Sequence, residues 1–255
     1  MFKAAFRTSN PALSAKSFGG FVGAGVRSDA AVMTIQGTVD KTAILLAIVT
    51  ATAIWPWRLF FESGDPSVVL PWLGLGALGG FVTALVTIFK KPWAKATAPI
   101  YAVCEGLALG SISAMYEARY PGIVFQSMAL TFGTLATILV AYKTRAIRAT
   151  EGFKMGVIAA TGAIVLVYLA SFILQMFGVT VGFMHSSGWL GIGISLVVVV
   201  IAALNLVLDF DLIETGAKQG APKYMEWYGA FALLVTLVWL YLEILRLLAK
   251  LNRRR

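Results

Sequence analysis

The sequence predicts an all-α integral membrane protein, and its composition is the first reason. Hydrophobic residues make up 59% of the 255 residues, and charged residues make up only 13%. A soluble domain has roughly 45–50% apolar and about 25% charged residues. Because this chain has too few polar side chains to cover a folded surface, it needs lipid as its surroundings.

The second reason is a series of charge-poor runs, each long enough to cross a bilayer. The hydrocarbon core is about 30 Å thick, so a crossing helix needs about 20 apolar residues. We predict a bundle of seven transmembrane helices within residues 42–252, preceded by a cytoplasmic N-terminal arm, residues 1–41. The predicted spans are residues 42–61, 70–89, 98–116, 123–142, 155–177, 189–208 and 227–249.

The boundary between the fifth and sixth spans comes from composition, because residues 155–208 carry no formal charge. This stretch is too long for one crossing, and its segment 178–188 is rich in Gly, Ser and Thr. We place a loop there. His185, the single histidine, is expected to be a solvated loop residue.

Lys and Arg counts predict the orientation. The arm carries five, and the connections after spans two, four and six carry three, four and two. Those after spans one, three and five carry one, one and none. This pattern favours a cytoplasmic N-terminus. Seven crossings then place the C-terminal tail outside, although it carries five cations, so a re-entrant or irregular last segment is the alternative.

The same distribution of charge argues against a nucleic-acid partner, even though the net charge is +9. Cations near span ends orient membrane proteins against anionic lipid. Cys104, the single cysteine, cannot form an internal disulfide, and with one histidine the chain lacks the ligands of a usual zinc site. No nucleophile elbow, His-Glu-x-x-His pattern or phosphate-binding loop is present. We therefore expect neither an enzyme nor a bound cofactor.

Acids inside predicted spans are the candidate functional groups, because charge in lipid is costly. Glu105 lies in the middle of the third span and is followed by Gly106 and Gly110, a spacing that lets another helix approach closely. One interpretation makes Glu105 a pore-lining or proton-sensing carboxyl. The other makes it a hydrogen-bonded group that joins helices.

Asp209 and Asp211 end the sixth span, and Glu243 lies in the last one. If Asp209 and Glu243 met, they would titrate as a unit, and their oxygens could bind Ca²⁺. Alternatively, the aspartates are ordinary interfacial acids and Glu243 pairs locally with Arg246 at spacing i,i+3.

Four short motifs resemble the bacterial branch of the Bax inhibitor-1 family. In chain order they are Ser9-Asn10-Pro11, Ala98-Pro99-Ile100-Tyr101-Ala102-Val103-Cys104-Glu105-Gly106, Asn205-Leu206-Val207-Leu208-Asp209-Phe210-Asp211 and Leu240-Tyr241-Leu242-Glu243-Ile244-Leu245. The resemblance covers essentially the whole chain. It implies a seven-helix bundle with the C-terminal helix central, in a bacterial cytoplasmic membrane.

The resemblance also implies pH-sensitive calcium leak, with Asp209 and Glu243 matching the family's proton-sensing pair. The match has two departures: the second acid is Glu rather than the family's Asp, and the two acids are 34 residues apart. They can meet only if the sixth helix continues beyond Leu208 or the last segment bends. Otherwise Glu226 or Glu105 is the alternative partner.

The leading functional hypothesis is therefore a pH-regulated cation (calcium) leak channel gated by Asp209, Glu243, Glu105 and Asp211. Arg145 and Arg148 are candidates for a gating closure, with loop orientation as their alternative role. The second hypothesis is a membrane-embedded regulator of a membrane protease or stress-response complex. In that case the N-terminal arm matters more than the buried acids.

Overall fold

A computed structural model describes residues 32–178 and 188–253. These ranges form seven α-helices: α1 Ile35–Ser63, α2 Leu70–Phe89, α3 Ala94–Arg119, α4 Ile123–Lys143, α5 Glu151–Met176, α6 Trp189–Lys218 and α7 Met225–Asn252. Short 3₁₀ helices, Pro66–Val69 and Lys91–Trp93, precede α2 and α3. Within the described ranges the only β pairing is an isolated bridge between Val32 and Pro222.

Each of the seven helices is long and apolar enough to cross a membrane. This confirms the prediction of an all-α integral membrane protein with seven spans. The last segment is one continuous helix rather than a re-entrant or irregular one. Helix α7 is also the most buried of the seven, with 67% of its apolar window inside the protein, as expected of a central C-terminal helix.

Several helices extend beyond the charge-free runs that predicted them. Helix α1 begins at Ile35 rather than at residue 42, and α6 continues to Lys218 rather than ending at residue 208. Polar turns of a helix keep their backbone hydrogen bonds in the headgroup region. A membrane helix can therefore continue beyond its apolar run. The first 31 residues, which include Ser9-Asn10-Pro11, lie outside the described residues, as does His185.

Backbone chemistry explains the turn between α1 and α2. Gly64 has φ 69° and ends α1 in the left-handed conformation, which glycine adopts without steric cost. Asp65 then caps the 3₁₀ helix by accepting hydrogen bonds from the Ser67 backbone N–H at 2.8 Å and hydroxyl at 2.6 Å. These hydrogen bonds, the side-chain one foremost, hold the pKa of Asp65 below its usual range.

The described residues fall into two compact units. The first comprises residues 32–121 and 212–235, and the second comprises the described parts of 122–211 and 236–253. Helices α1 to α3 belong to the first unit, and α4 and α5 belong to the second. Helices α6 and α7 each contribute one part to each unit.

Two glycines allow α3 to pack closely on α1 in the first unit. A Cβ on Gly106 would overlap the Thr52 hydroxyl and lie 2.5 Å from the Val49 carbonyl oxygen. A Cβ on Gly110 would overlap the Ala53 carbonyl. The predicted role of this small-residue spacing is confirmed.

We predict that Gly106→Ala destabilises the protein by about 1–3 kcal/mol, the usual cost of overpacking. Loss of helical circular dichroism on heating in detergent is the measurement. Gly74→Ala in α2 is the matched control, because a Cβ there meets no atom within 4 Å. Equal melting curves for the two variants would contradict the close packing.

Candidate functional site

The site is built from carboxyl groups buried on membrane-spanning helices. Glu226 is 0% exposed, and Asp209 and Glu243 are each 1% exposed. A buried charge is costly unless it is paired and hydrogen-bonded. The partners of these acids therefore determine what the site can do.

In the second unit, α6 is joined to α5 by two polar contacts that lie on either side of Asp209. Asp211 forms an ion pair with Lys154 at 2.7 Å. One and a half turns earlier in α6, the Asn205 amide donates a hydrogen bond to the Thr161 hydroxyl at 2.8 Å. Asp209, which is 1% exposed, thus lies between two polar pairs of α6 and α5.

Glu243, in the second half of α7, accepts two hydrogen bonds. The Tyr168 hydroxyl of α5 donates at 2.9 Å, and the Arg246 guanidinium donates at 2.8 Å. The guanidinium also lies over the Tyr168 ring, 5.7 Å from its centroid. The local i,i+3 pair predicted for Glu243 and Arg246 is therefore present. It is part of a three-residue cluster that includes a second helix.

Lys250 lies one turn beyond Arg246 and turns its ammonium toward α6. It donates to the Ser195 hydroxyl at 2.8 Å and to the Gly191 carbonyl at 3.1 Å. Ser195 is 5% exposed. This contact continues the series of polar groups toward the N-terminal end of α6.

Helix α5 provides a scale for the levels of Asp209 and Glu243. Asp209 is one turn from Asn205, which binds α5 at Thr161. Because α6 runs antiparallel to α5, Asp209 lies on the side of Thr161 toward the beginning of α5. Glu243 binds α5 at Tyr168, seven residues from Thr161 toward the end of α5. At about 1.5 Å per residue, the two acids are separated by roughly 16 Å along the helices. Although α6 does continue beyond residue 208, it does not bring them to one level.

These contacts form one series, which we call the polar track. Its members are Lys154, Thr161, Tyr168, Gly191, Ser195, Asn205, Asp209, Asp211, Glu243, Arg246 and Lys250. On α6 the track runs from Asp211 to Gly191, which is about 30 Å of helix at 1.5 Å per residue. That length equals the thickness of the hydrocarbon core.

The first unit contains a separate cluster around Glu226, in the first turn of α7. Its Oε1 accepts from the Thr34 backbone N–H at 2.9 Å, the Thr34 hydroxyl at 2.8 Å and Lys223 at 2.9 Å. Its Oε2 binds Lys41. Gly37 leaves room for the carboxylate, which a Cβ would overlap. The cluster thus ties the beginning of α1 to the beginning of α7.

Glu105 lies in the first unit and receives a hydrogen bond from its own helix. Its Oε1 accepts from the Tyr101 hydroxyl at 2.9 Å, and the Tyr101 ring packs edge-on against Phe231 with centroids 4.9 Å apart. This contact favours the interpretation of Glu105 as a hydrogen-bonded group, with the bond inside α3 and Tyr101 as the residue that reaches Phe231 of α7. Glu105 belongs to the first unit, whereas the members of the polar track belong to the second.

The remaining candidates lie in exposed positions. Arg145 and Arg148 are exposed in the connection between α4 and α5, and Arg145 has φ 59°. Their role in a gating closure stays a prediction. Among residues 32–178 and 188–253, no group of three or more His, Cys, Asp or Glu side chains is placed to hold a metal ion. The calcium site predicted on Asp209 and Glu243 stays a prediction, and it would require the two acids to approach from roughly 16 Å apart along the helices.

Sequence reasoning missed Tyr168, Ser195 and Lys250 as members of the track, because their partners are distant in sequence. Tyr168 is 75 residues from Glu243, and Ser195 is 55 residues from Lys250. A contact within one helix carries a sequence signal, because residues three or four apart share a helix face; the predicted pair of Glu243 and Arg246 is such a contact.

The comparisons with known proteins support the motif-based resemblance. The family model described as Bax inhibitor 1 like matches residues 3–253. No curated protein and no solved structure matches the chain. The match covers nearly every residue from which the fold and the track are built.

We predict that Glu226→Gln destabilises the protein by roughly 1.5–3 kcal/mol, because each hydrogen bond to a charged group contributes about that much. Thermal unfolding in detergent is the measurement. Glu62→Gln is the matched control, since Glu62 pairs with Arg58 while the two side chains stay 66% and 71% exposed. Exposed pairs contribute about 0.2–1 kcal/mol. A Glu226 variant as stable as the control would therefore refute the stabilising role of the cluster around Glu226.

Proposed function

The chain belongs to the Bax inhibitor 1 like family, and we propose that it is a pH-sensitive cation leak channel that conducts calcium. In this proposal it is a transport protein rather than an enzyme. It lies in a bacterial cytoplasmic membrane with its N-terminus on the cytoplasmic side.

The polar track is the observation that carries the proposal. An ion that crosses lipid needs a continuous series of polar groups to replace its water. The track places four sets of polar contacts at successive levels along about 30 Å of α6, and the proposal is that an ion passes from one set to the next. Its acids are the groups that attract a cation: Asp211 at one end, Asp209 inside it, and Glu243 further along.

The same acids give a reason for pH sensitivity. Glu243 in its charged form holds the Arg246 guanidinium at 2.8 Å. Uptake of a proton by Glu243 removes that attraction, and the half-exposed guanidinium is then free to move toward water. Asp209 is buried at another level of the track, so the proposal gives it a second, separate point of action.

We predict that Asp209→Asn and Glu243→Gln each flatten the pH dependence of calcium flux, because each fixes one acid in a neutral form. The double variant should abolish the dependence. Dye-loaded liposomes containing the purified protein, measured from mildly acidic to mildly alkaline pH, provide the assay. The exposed Glu62→Gln is the control and should behave as wild type.

Two results would count against this proposal. If wild-type liposomes show no more calcium flux than empty ones at every pH, the chain is not a leak channel. If the wild type conducts but all three variants keep its pH profile, the buried acids are not the sensor.

We further predict that Tyr168→Phe alters the pH profile of calcium flux. The Tyr168 hydroxyl donates to the Glu243 carboxylate at 2.9 Å and so joins α5 to α7 at the proposed sensor. Without this hydrogen bond, the carboxylate is held by Arg246 of its own helix and is no longer tied to α5. Tyr120→Phe, at the end of α3, is the control, and equal flux profiles for the two variants would exclude this role.

Action on a membrane protease or stress-response complex remains the rival proposal. It assigns the decisive role to the N-terminal arm, whose first 31 residues lie outside the described ranges. Deletion of residues 1–31 separates the two proposals. A channel keeps its flux without the arm, whereas a regulator loses the capture of its membrane partner.

A further inference from the structure

We propose that the ammonium of Lys250 is a tethered cation that occupies a cation-binding position at the α7 C-terminal end of the polar track. The inference deepens the proposed function, because it assigns the position that a permeating ion would have to enter. It rests on the surroundings of Lys250 rather than on the family.

Two oxygen atoms of α6 lie within hydrogen-bond distance of the Lys250 ammonium. The Ser195 hydroxyl lies 2.8 Å from Nζ, and the Gly191 carbonyl oxygen lies 3.1 Å from it. The Glu243 carboxylate, two turns earlier on α7, attracts the same ammonium electrostatically. Hard metal cations take oxygen ligands in proteins, backbone carbonyls among them, and the Gly191 carbonyl is a ligand of this kind, with the Ser195 hydroxyl oxygen beside it.

The direction of the side chain is the second argument. Lysines near the ends of membrane helices usually extend their ammonium toward water. Lys250 is two residues from the end of α7 at Asn252, yet its ammonium turns to two oxygens of α6. It does so although the Arg246 guanidinium repels it. The two oxygens and the Glu243 carboxylate together offset that repulsion.

A tethered ammonium and a free ion compete for the same oxygens. Lys250 would therefore keep calcium out of this end of the track while it is bound. Loss of the ammonium would expose the position, and free cations would then bind there and pass more readily. Lys250 would in this way set the resting leak, whereas Asp209 and Glu243 would set its response to pH.

The test is Lys250→Met, which keeps the length of the side chain but removes its charge. Calcium binding to the purified full-length protein in detergent is measured by titration calorimetry, with barium as a second probe. We expect at least about tenfold tighter binding than in wild type. Lys250→Arg keeps the charge and should bind as wild type does. Lys250→Met combined with Ser195→Ala should lose the gain.

Lys218→Met is the matched control for charge. Lys218 is also a helix-end lysine, but its side chain is 72% exposed and pairs with Glu214 on its own helix. It should leave calcium binding unchanged. A similar gain in both lysine variants would overturn the inference, because the effect would then be one of net charge.

The binding measurement separates this inference from the proposed function. No gain of binding in Lys250→Met overturns the tethered cation, even if the wild type conducts calcium. A gain that requires Ser195 supports it, even if wild-type liposomes show no flux. As an independent readout, propylammonium should compete with calcium in Lys250→Ala by refilling the position, and failure to compete would count against the inference.

Discussion

The cost of a buried charge in lipid is the constraint on which the rest of the structure depends. The chain is apolar enough to need a bilayer, yet its helices carry three carboxyl groups that are almost fully buried. Such groups persist only where the fold supplies cations and hydrogen-bond donors. For Glu226 and Glu243 the fold supplies part of them from another helix: Thr34 and Lys41 at the beginning of α1, and Tyr168 of α5. Each of these two acids therefore also joins two helices.

The clusters around Glu226 and Glu243 differ in how completely they enclose the carboxylate, and this difference indicates different roles. Glu226 is enclosed by two lysines and both donors of Thr34, and it lies in the first turn of a helix, where the dipole favours negative charge. A carboxylate held so fully is a structural joint. Glu243 has one tyrosine and one half-exposed arginine, so one of its two partners has room to move toward water. Function is therefore expected at Glu243 rather than at Glu226.

The sequence was sufficient for the number and order of the helices, since charge-free runs report directly on membrane crossings. It was less informative about helix ends, because a helix such as α6 keeps its hydrogen bonds beyond its last apolar residue. It also identified Glu105, Asp209, Asp211 and Glu243 as acids in unfavourable surroundings. It could not identify Tyr168 or Ser195 as partners, because a lone hydroxyl in an apolar run carries no signal until helices pack.

Distance along the chain was also a poor guide to whether Asp209 and Glu243 meet. Their separation of 34 residues permitted contact or none, depending on where α6 ended and how the last segment ran. With both helices continuous, α5 places the two acids roughly 16 Å apart along the helices. In the proposed channel, a single shared proton would then not describe the response to pH. Two acids at different levels, each beside its own polar groups, would instead act on the track at two separate points.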